Sequence, residues 1–148
     1  MPFRLIVPVL VYRELVAQAI TEQPNECCGL LGGVVEICTA TTGMALRVGR
    51  VVKRYSLVNE AHSPVEFYQD GKGLFEATRD MRNLSLDTLA VYHSHPLSPP
   101  VPSKKDLAMN WSTEVVNVIV SLATTPPTVR AWWLTDVDYR EAEWEVEQ

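Results

Sequence analysis

The stretch Thr88-Leu89-Ala90-Val91-Tyr92-His93-Ser94-His95-Pro96 decides how this 148-residue chain is read. Residues 88–92 form a short apolar run with the composition of a central strand, and it delivers the chain directly into His93. Side chains alternate along an extended segment, so His93 and His95 point to the same side and both imidazoles can reach one ion. A proline-rich loop, Pro96 to Pro102, follows. Ser103 then reads as a helix N-cap with Asp106 three residues on, an acidic variant of the capping box. The short helix runs to about Trp111, and its first turn brings Asp106 back toward the histidines. Two ring nitrogens and one carboxylate oxygen suit zinc. Three protein ligands leave a fourth position for water, as in a catalytic rather than a structural site.

Outward from this stretch the pattern is mixed. Residues 9–22 place Leu10, Val11, Leu15, Ala19 and Ile20 at helix spacing, with Pro8 suited to a first turn and Pro24 ending the run. Gly29 to Ile37 reads as a buried strand, and Ala45 to Lys53 as a second strand turned from it near Gly43. Tyr55 to Asn59 could continue the sheet. Phe67 to Asn83, with Leu74, Phe75, Thr78 and Met81, predicts a second helix. Val115 to Leu122, Val129 to Leu134 and Tyr139 to Val146 predict three further strands, with turns at Pro126-Pro127 and Thr135-Asp136. About three helices and six or more strands pack naturally as one sheet flanked by helices, in a single domain over residues 1–148.

Composition excludes several classes. The net charge of −5 argues against a nucleic-acid partner, because phosphate binding needs a basic face. No apolar run is long enough to span a bilayer. The start, Met1 to Pro8, is apolar but interrupted by Pro2 and Pro8 and has no cleavage-site pattern. Three cysteines, two of them adjacent, are no disulfide framework and fit a reducing cytoplasm.

Hydrolysis of an amide at such a centre needs a base for the water proton and a donor for the developing oxyanion. Glu26, in a polar turn just before Cys27-Cys28-Gly29-Leu30-Leu31-Gly32, is the candidate base, placed by inference. Ser103, between the histidines and Asp106 in sequence, is the candidate oxyanion donor, and its role as N-cap is compatible because the cap uses its oxygen and catalysis its proton. Cys27 and Cys28 read as buried small apolar residues rather than ligands. His62 reads as a surface turn residue, and Trp132, Trp133 and Trp144 as core or sheet-edge packing.

Glu26, then His93-Ser94-His95, seven residues, Ser103, two residues and Asp106 resembles the JAMM motif of MPN-domain metalloproteases, complete at every motif position. The flanks are similar too: the segment from Glu26 to Gly32, Tyr92, Pro96, Pro102 and the strand Val118-Ile119-Val120-Ser121. The resemblance spans nearly the whole chain. It implies an α/β fold of cytidine-deaminase type, a mixed β-sheet flanked by helices. It implies zinc held by His93, His95 and Asp106, Glu26 as general acid/base and Ser103 as oxyanion stabiliser. It further implies a substrate in the C-terminal tail of a ubiquitin-like or sulfur-carrier protein. The second zinc-binding insertion of eukaryotic deubiquitinases is missing, since no cysteine follows Cys38. A small leaving group is therefore expected, with the tail pairing to a free strand edge beside the metal. A cytidine-type deaminase is rejected, because residue 95 is His where that chemistry wants Glu, and no Pro-Cys-x-x-Cys follows. The remaining alternative is a non-catalytic MPN scaffold, a class that usually loses the motif residues retained here.

Overall fold

The computed structural model describes residues 2–148; Met1, which heads the apolar start, lies outside the described residues. The chain runs β1 (Arg4–Pro8), α1 (Val9–Thr21), β2 (Cys28–Thr39), β3 (Ala45–Leu57), α2 (Gly71–Asn83), β4 (Asp87–His95), α3 (Lys104–Met109), β5 (Val116–Ser121), β6 (Thr128–Leu134), β7 (Tyr139–Glu141) and β8 (Trp144–Glu147). All strands join one eight-stranded mixed sheet in the order β7-β6-β5-β4-β2-β3-β1-β8.

The sheet is covered on both faces because its strands alternate between two apolar sets. Leu31, Ala90, Tyr92, Val116, Val118 and Val120 pack with Val11, Leu15 and Ala19 of α1. Leu30, Leu57 and Val91 face the other way, onto Ala77 and Met81 of α2. Beside them Ile119, Trp132 and Leu134 meet Leu107 of α3. Gly29 is required where β2 crosses this layer, since a Cβ there would lie 2.2 Å from the Tyr92 ring. No helix among the described residues is long and apolar enough to cross a membrane.

Several boundaries differ from the sequence expectation, each for a local reason. The start is a strand. Pro2 precedes the strand and Pro8 is its last residue, opposite Glu147 of β8, so neither interrupts the residues that pair in parallel with β3 and β8. The two segments at 45–53 and 55–59 merge into one strand, which ends at Leu57. The second helix begins at Gly71 rather than Phe67, because the Asp70 carboxylate caps it by accepting from the Gly73 N–H at 2.7 Å. Leu10, Ile20 and Phe75, counted in apolar faces, are exposed. The third helix stops at Met109, short of Trp111.

The predicted strand 139–146 is two strands on opposite edges of the sheet, with Ala142 and Glu143 crossing between them. The sheet therefore curls until its edges meet at that end. The Ala142 N–H donates to the Ala131 carbonyl at 2.8 Å and the Leu5 N–H to the Glu143 carbonyl at 3.0 Å. Phe3 meets Trp133 edge-on, with ring centroids 5.1 Å apart. The histidine strand β4 lies inside the sheet with both edges paired, to β2 and β5. The expected free strand edge beside the histidines is thus absent at β4.

Candidate metal centre

Strand β4 continues through His95, so His93 and His95 lie on one face of the sheet and Ser94 on the other. Pairing of β4 with β2 brings Glu26 to the same place. Cys28 is opposite His93, and Ser94 is bound twice to Cys27. The Ser94 Oγ accepts from the Cys27 N–H at 2.8 Å, and the Ser94 N–H donates to the Cys27 carbonyl at 3.1 Å. One step further along this antiparallel register puts Glu26 level with His95. The Glu26 backbone is clamped from the 59–63 turn: its N–H donates to the Ser63 carbonyl at 2.8 Å and its carbonyl accepts from Asn59 Nδ2 at 3.0 Å.

The proline loop is pinned from three sides, which fixes where α3 begins. Ser121 Oγ donates to the Ser98 carbonyl at 2.6 Å, Trp132 Nε1 to the Pro100 carbonyl at 2.9 Å, and His95 Nδ1 to the Pro99 carbonyl at 2.8 Å. The capping box of α3 then aims Asp106. Its Oδ2 accepts from the Ser103 N–H at 2.8 Å while Ser103 Oγ accepts from the Asp106 N–H at 3.1 Å. Ser103 itself is exposed, and the bond from Asp106 leaves its hydroxyl proton uncommitted.

The three side chains converge. His93 Nε2 and His95 Nε2 are 3.2 Å apart. Asp106 Oδ1 is 3.2 Å from His93 Nε2, and Oδ2 is 3.2 Å from His95 Nε2. Because a carbonyl only accepts, the bond to Pro99 puts a proton on His95 Nδ1 and leaves Nε2 of the neutral ring as a bare lone pair. Lone pairs and a carboxylate so placed repel one another unless a cation lies among them. A tetrahedral metal with ligands at 2.0–2.1 Å sets its ligand atoms about 3.3 Å apart, the spacing seen here. The donor set therefore fits a metal ion, and these residues form a group that could hold one.

Burial alone would raise the Asp106 carboxyl, yet its bonds to the two histidines hold it well below the usual carboxylate range. Burial would lower His95, but the Asp106 bond and the Pro99 carbonyl raise it on balance. Glu26 is 4% exposed, and its Oε1 has no hydrogen-bond partner in the protein. Burial pushes its carboxyl up to about 8; His95 pulls against this and Asp106 adds to it.

The structure brings His93, His95 and Asp106 together and bonds Ser103 to Asp106, while Glu26 stands next to Cys27, which is bonded to Ser94 of β4; His62 is exposed, and Cys27 and Cys28 are buried, free thiols. Sequence reasoning missed the neighbours that shape the centre. Phe67 stacks on His93 with centroids 4.6 Å apart. Asn59 clamps Glu26. Asn117, buried beside the centre on β5, had one visible signal: a lone amide in the otherwise apolar run 115–120.

Comparison with known proteins shows the family of the chain. The family described as prokaryotic homologues of the JAB domain matches residues 8–135. A desampylase of Pyrococcus furiosus is 28% identical over 125 residues, 84% of this chain and 78% of that protein. A probable TtuB-protein conjugate cleaving protease of Thermus thermophilus is 34% identical over 104 residues, 70% of this chain and 61% of that protein. Among solved structures, a Desulfitobacterium hafniense protein is similar with TM-score 0.80 at 28% identity, covering 97% of this chain and 93% of that one. A Salinibacter ruber protein shares the fold with TM-score 0.63 at 23% identity, over 100% of this chain and 92% of its own. The chain belongs to the JAMM/MPN family, among the prokaryotic homologues of the JAB domain.

Proposed function

We propose that this protein is a zinc-dependent isopeptidase or peptidase that hydrolyses the amide bond at the C-terminal tail of a ubiquitin-like or sulfur-carrier protein. The observation that carries the proposal is the mutual facing of His93 Nε2, His95 Nε2 and the Asp106 carboxylate, with the buried carboxyl of Glu26, whose Oε1 has no partner in the protein, beside them. The names of the desampylase and the TtuB-conjugate protease supply the substrate class.

In this reading His93, His95 and Asp106 hold zinc, which when bound supplies Lewis-acid polarisation of the scissile carbonyl and a more acidic water. Glu26 takes the water proton and holds it on its carboxylate. The water oxygen joins the carbonyl carbon, the C–N bond breaks, and Glu26 delivers the proton to the leaving amine. Its burial suits the task, because a carboxyl raised toward neutral pH accepts and returns a proton with little penalty. The uncommitted Ser103 hydroxyl donates to the carbonyl oxygen as negative charge develops there. The free thiols support a reducing cytoplasm, and the acidic balance supports a protein rather than a nucleic-acid partner.

The test is elemental analysis of protein purified without chelator, followed by mass spectrometry of its products on conjugates of a Gly-Gly-ended carrier. About one zinc per chain and release of the intact carrier are expected. A protein that neither contains nor takes up zinc would be the non-catalytic scaffold instead.

A further inference from the structure

A cavity of about 480 Å³ lies at the end of the sheet remote from the metal centre. Along β5, Val116 is opposite Trp133 at this end and Ser121 is opposite His95 at the other. At about 3.3 Å per residue the two ends are roughly 17 Å apart, and no residue of the centre lines this cavity. The curl of the sheet makes it, by bringing the first residues of β3 near β7 and the crossing after it. Phe3 and Trp133, with ring centroids 5.1 Å apart, lie in its lining, and Pro2 and Leu46 add exposed apolar surface.

Three guanidiniums line this hollow in a chain of net charge −5. Arg4 is held by Glu145 at 2.6 Å. Arg47 on β3 and Arg140 on β7 are not held: among the described residues neither has an ion-pair partner. Arg47 Nε is buried and has no hydrogen-bond partner in the protein. A buried charged donor without an acceptor works against the fold unless something else accepts from it. Two acids share the lining. Glu141 is bound through both oxygens by Arg130, at 3.0 Å each, which leaves Glu143.

We propose that this cavity is a second ligand site that takes a small monocarboxylate with an apolar body, its carboxylate between Arg47 and Arg140 and its body on Pro2, Phe3, Leu46 and Trp133. The charges select the ligand. Two unpaired guanidiniums against the one unpaired carboxylate of Glu143 leave room for a single negative charge, and a dianion such as phosphate meets repulsion from Glu143 and Glu141. Guanidinium forks match the two oxygens of a carboxylate. The apolar lining rewards a ligand that buries carbon surface, which a bare inorganic anion does not. The volume lies in the range of small-molecule sites, about 300–1,000 Å³. The site is independent of the isopeptidase reading.

The probe is 3-phenylpropionate, titrated into the full chain by calorimetry, with 3-phenylpropionamide and inorganic phosphate as comparisons. Saturable binding of the acid is expected, with the neutral amide and phosphate about tenfold weaker or more. Arg47→Gln and Arg140→Gln should each weaken the acid about tenfold. Arg140 is exposed, so its variant keeps the test open should Arg47→Gln fail to fold. NMR locates the ligand: the Trp133 indole N–H should shift on titration, and the backbone signals of His93, His95 and Asp106 should not. No saturable binding of the acid, binding of the amide or phosphate as tight as the acid's, parent-like affinity in either folded variant, or shifts centred on His93 and His95 would each overturn the site.

Discussion

Tyr92 and His93 are neighbours in the chain, yet they face opposite sides of the sheet and obey opposite rules. The Tyr92 hydroxyl, on the α1 side, donates to Gln18 Oε1 at 2.5 Å and accepts from Arg54 Nη1 at 3.2 Å. Gln18 in turn donates to the Cys28 carbonyl at 3.1 Å. His93, one residue on, keeps a buried Nδ1 with no partner. Four of the six buried unpartnered side-chain atoms among the described residues belong to Glu26, Gln69, His93 and Asn117, all at the candidate centre or lining the cavity beside it. The α1 side, with Arg54 Nε as its exception, thus uses its polar groups to hold the fold, and the other side keeps them for something that arrives. Unmet hydrogen-bonding capacity in a folded protein marks where function is stored.

The contrast breaks most visibly at Glu26. Glu26→Gln should leave zinc content intact and lower turnover about a hundred- to ten-thousandfold, measured on a conjugate the parent cleaves. Parent-like turnover would assign the proton transfer to another group. The same variant sharpens the comparison through pH. A carboxyl raised from 4.5 to about 8 in the folded state disfavours folding once the unfolded chain ionises. The metal-free parent should therefore lose stability as pH climbs from about 4.5 toward 8, and the glutamine variant should lack that slope. Thermal melts of both proteins with chelator present, at intervals across that range, provide the measurement.

On the α1 side the largest effect is on stability. Leu15 is 1% exposed within the cluster that joins α1 to the sheet. Leu15→Ala should cost about 2–5 kcal/mol in denaturant unfolding, from lost burial and the cavity left behind. Its zinc affinity, corrected for the folded fraction, should match the parent's. A specific loss of affinity would show that the two faces are coupled. His95→Ala should do the reverse. Zinc affinity should fall by more than the ten- to hundredfold typical of outer partners, with a loss of only about 1 kcal/mol in the metal-free protein from the missing bond to the Pro99 carbonyl.

How much of this was legible in the sequence follows from how local each feature is. His93, His95, Ser103 and Asp106 sit in one strand, one loop and one helix turn, so residue spacing alone placed them. Glu26 belongs to the same point only through the Cys27–Ser94 pairing of strands 67 positions apart, and spacing says nothing about register. The first strand was hidden because its prolines looked like breaks, although Pro2 precedes the strand and Pro8 is its last residue. The last predicted strand was split because the curl of the sheet, which brings its two edges near each other at residues 142–143, is a property of the whole sheet. Asn117 was hidden because its neighbours are all apolar, and only the missing partner reveals it.

The smallest effect is the most direct comparison of adjacent residues. Tyr92→Phe removes the hydroxyl but keeps the ring that Gly29 makes room for. The network does not collapse, because Arg54 Nη1 still donates to Gln18 Oε1 at 2.7 Å and Gln18 still holds the Cys28 carbonyl. No donor is stranded, so the loss is that of ordinary hydrogen bonds, about 1 kcal/mol in stability. Zinc affinity and turnover should stay within about twofold of the parent, because the hydroxyl lies on the face opposite the centre. A much larger drop in activity than in stability would mean that the Tyr92 network sets the position of His93 through the strand they share. The two faces would then be one device.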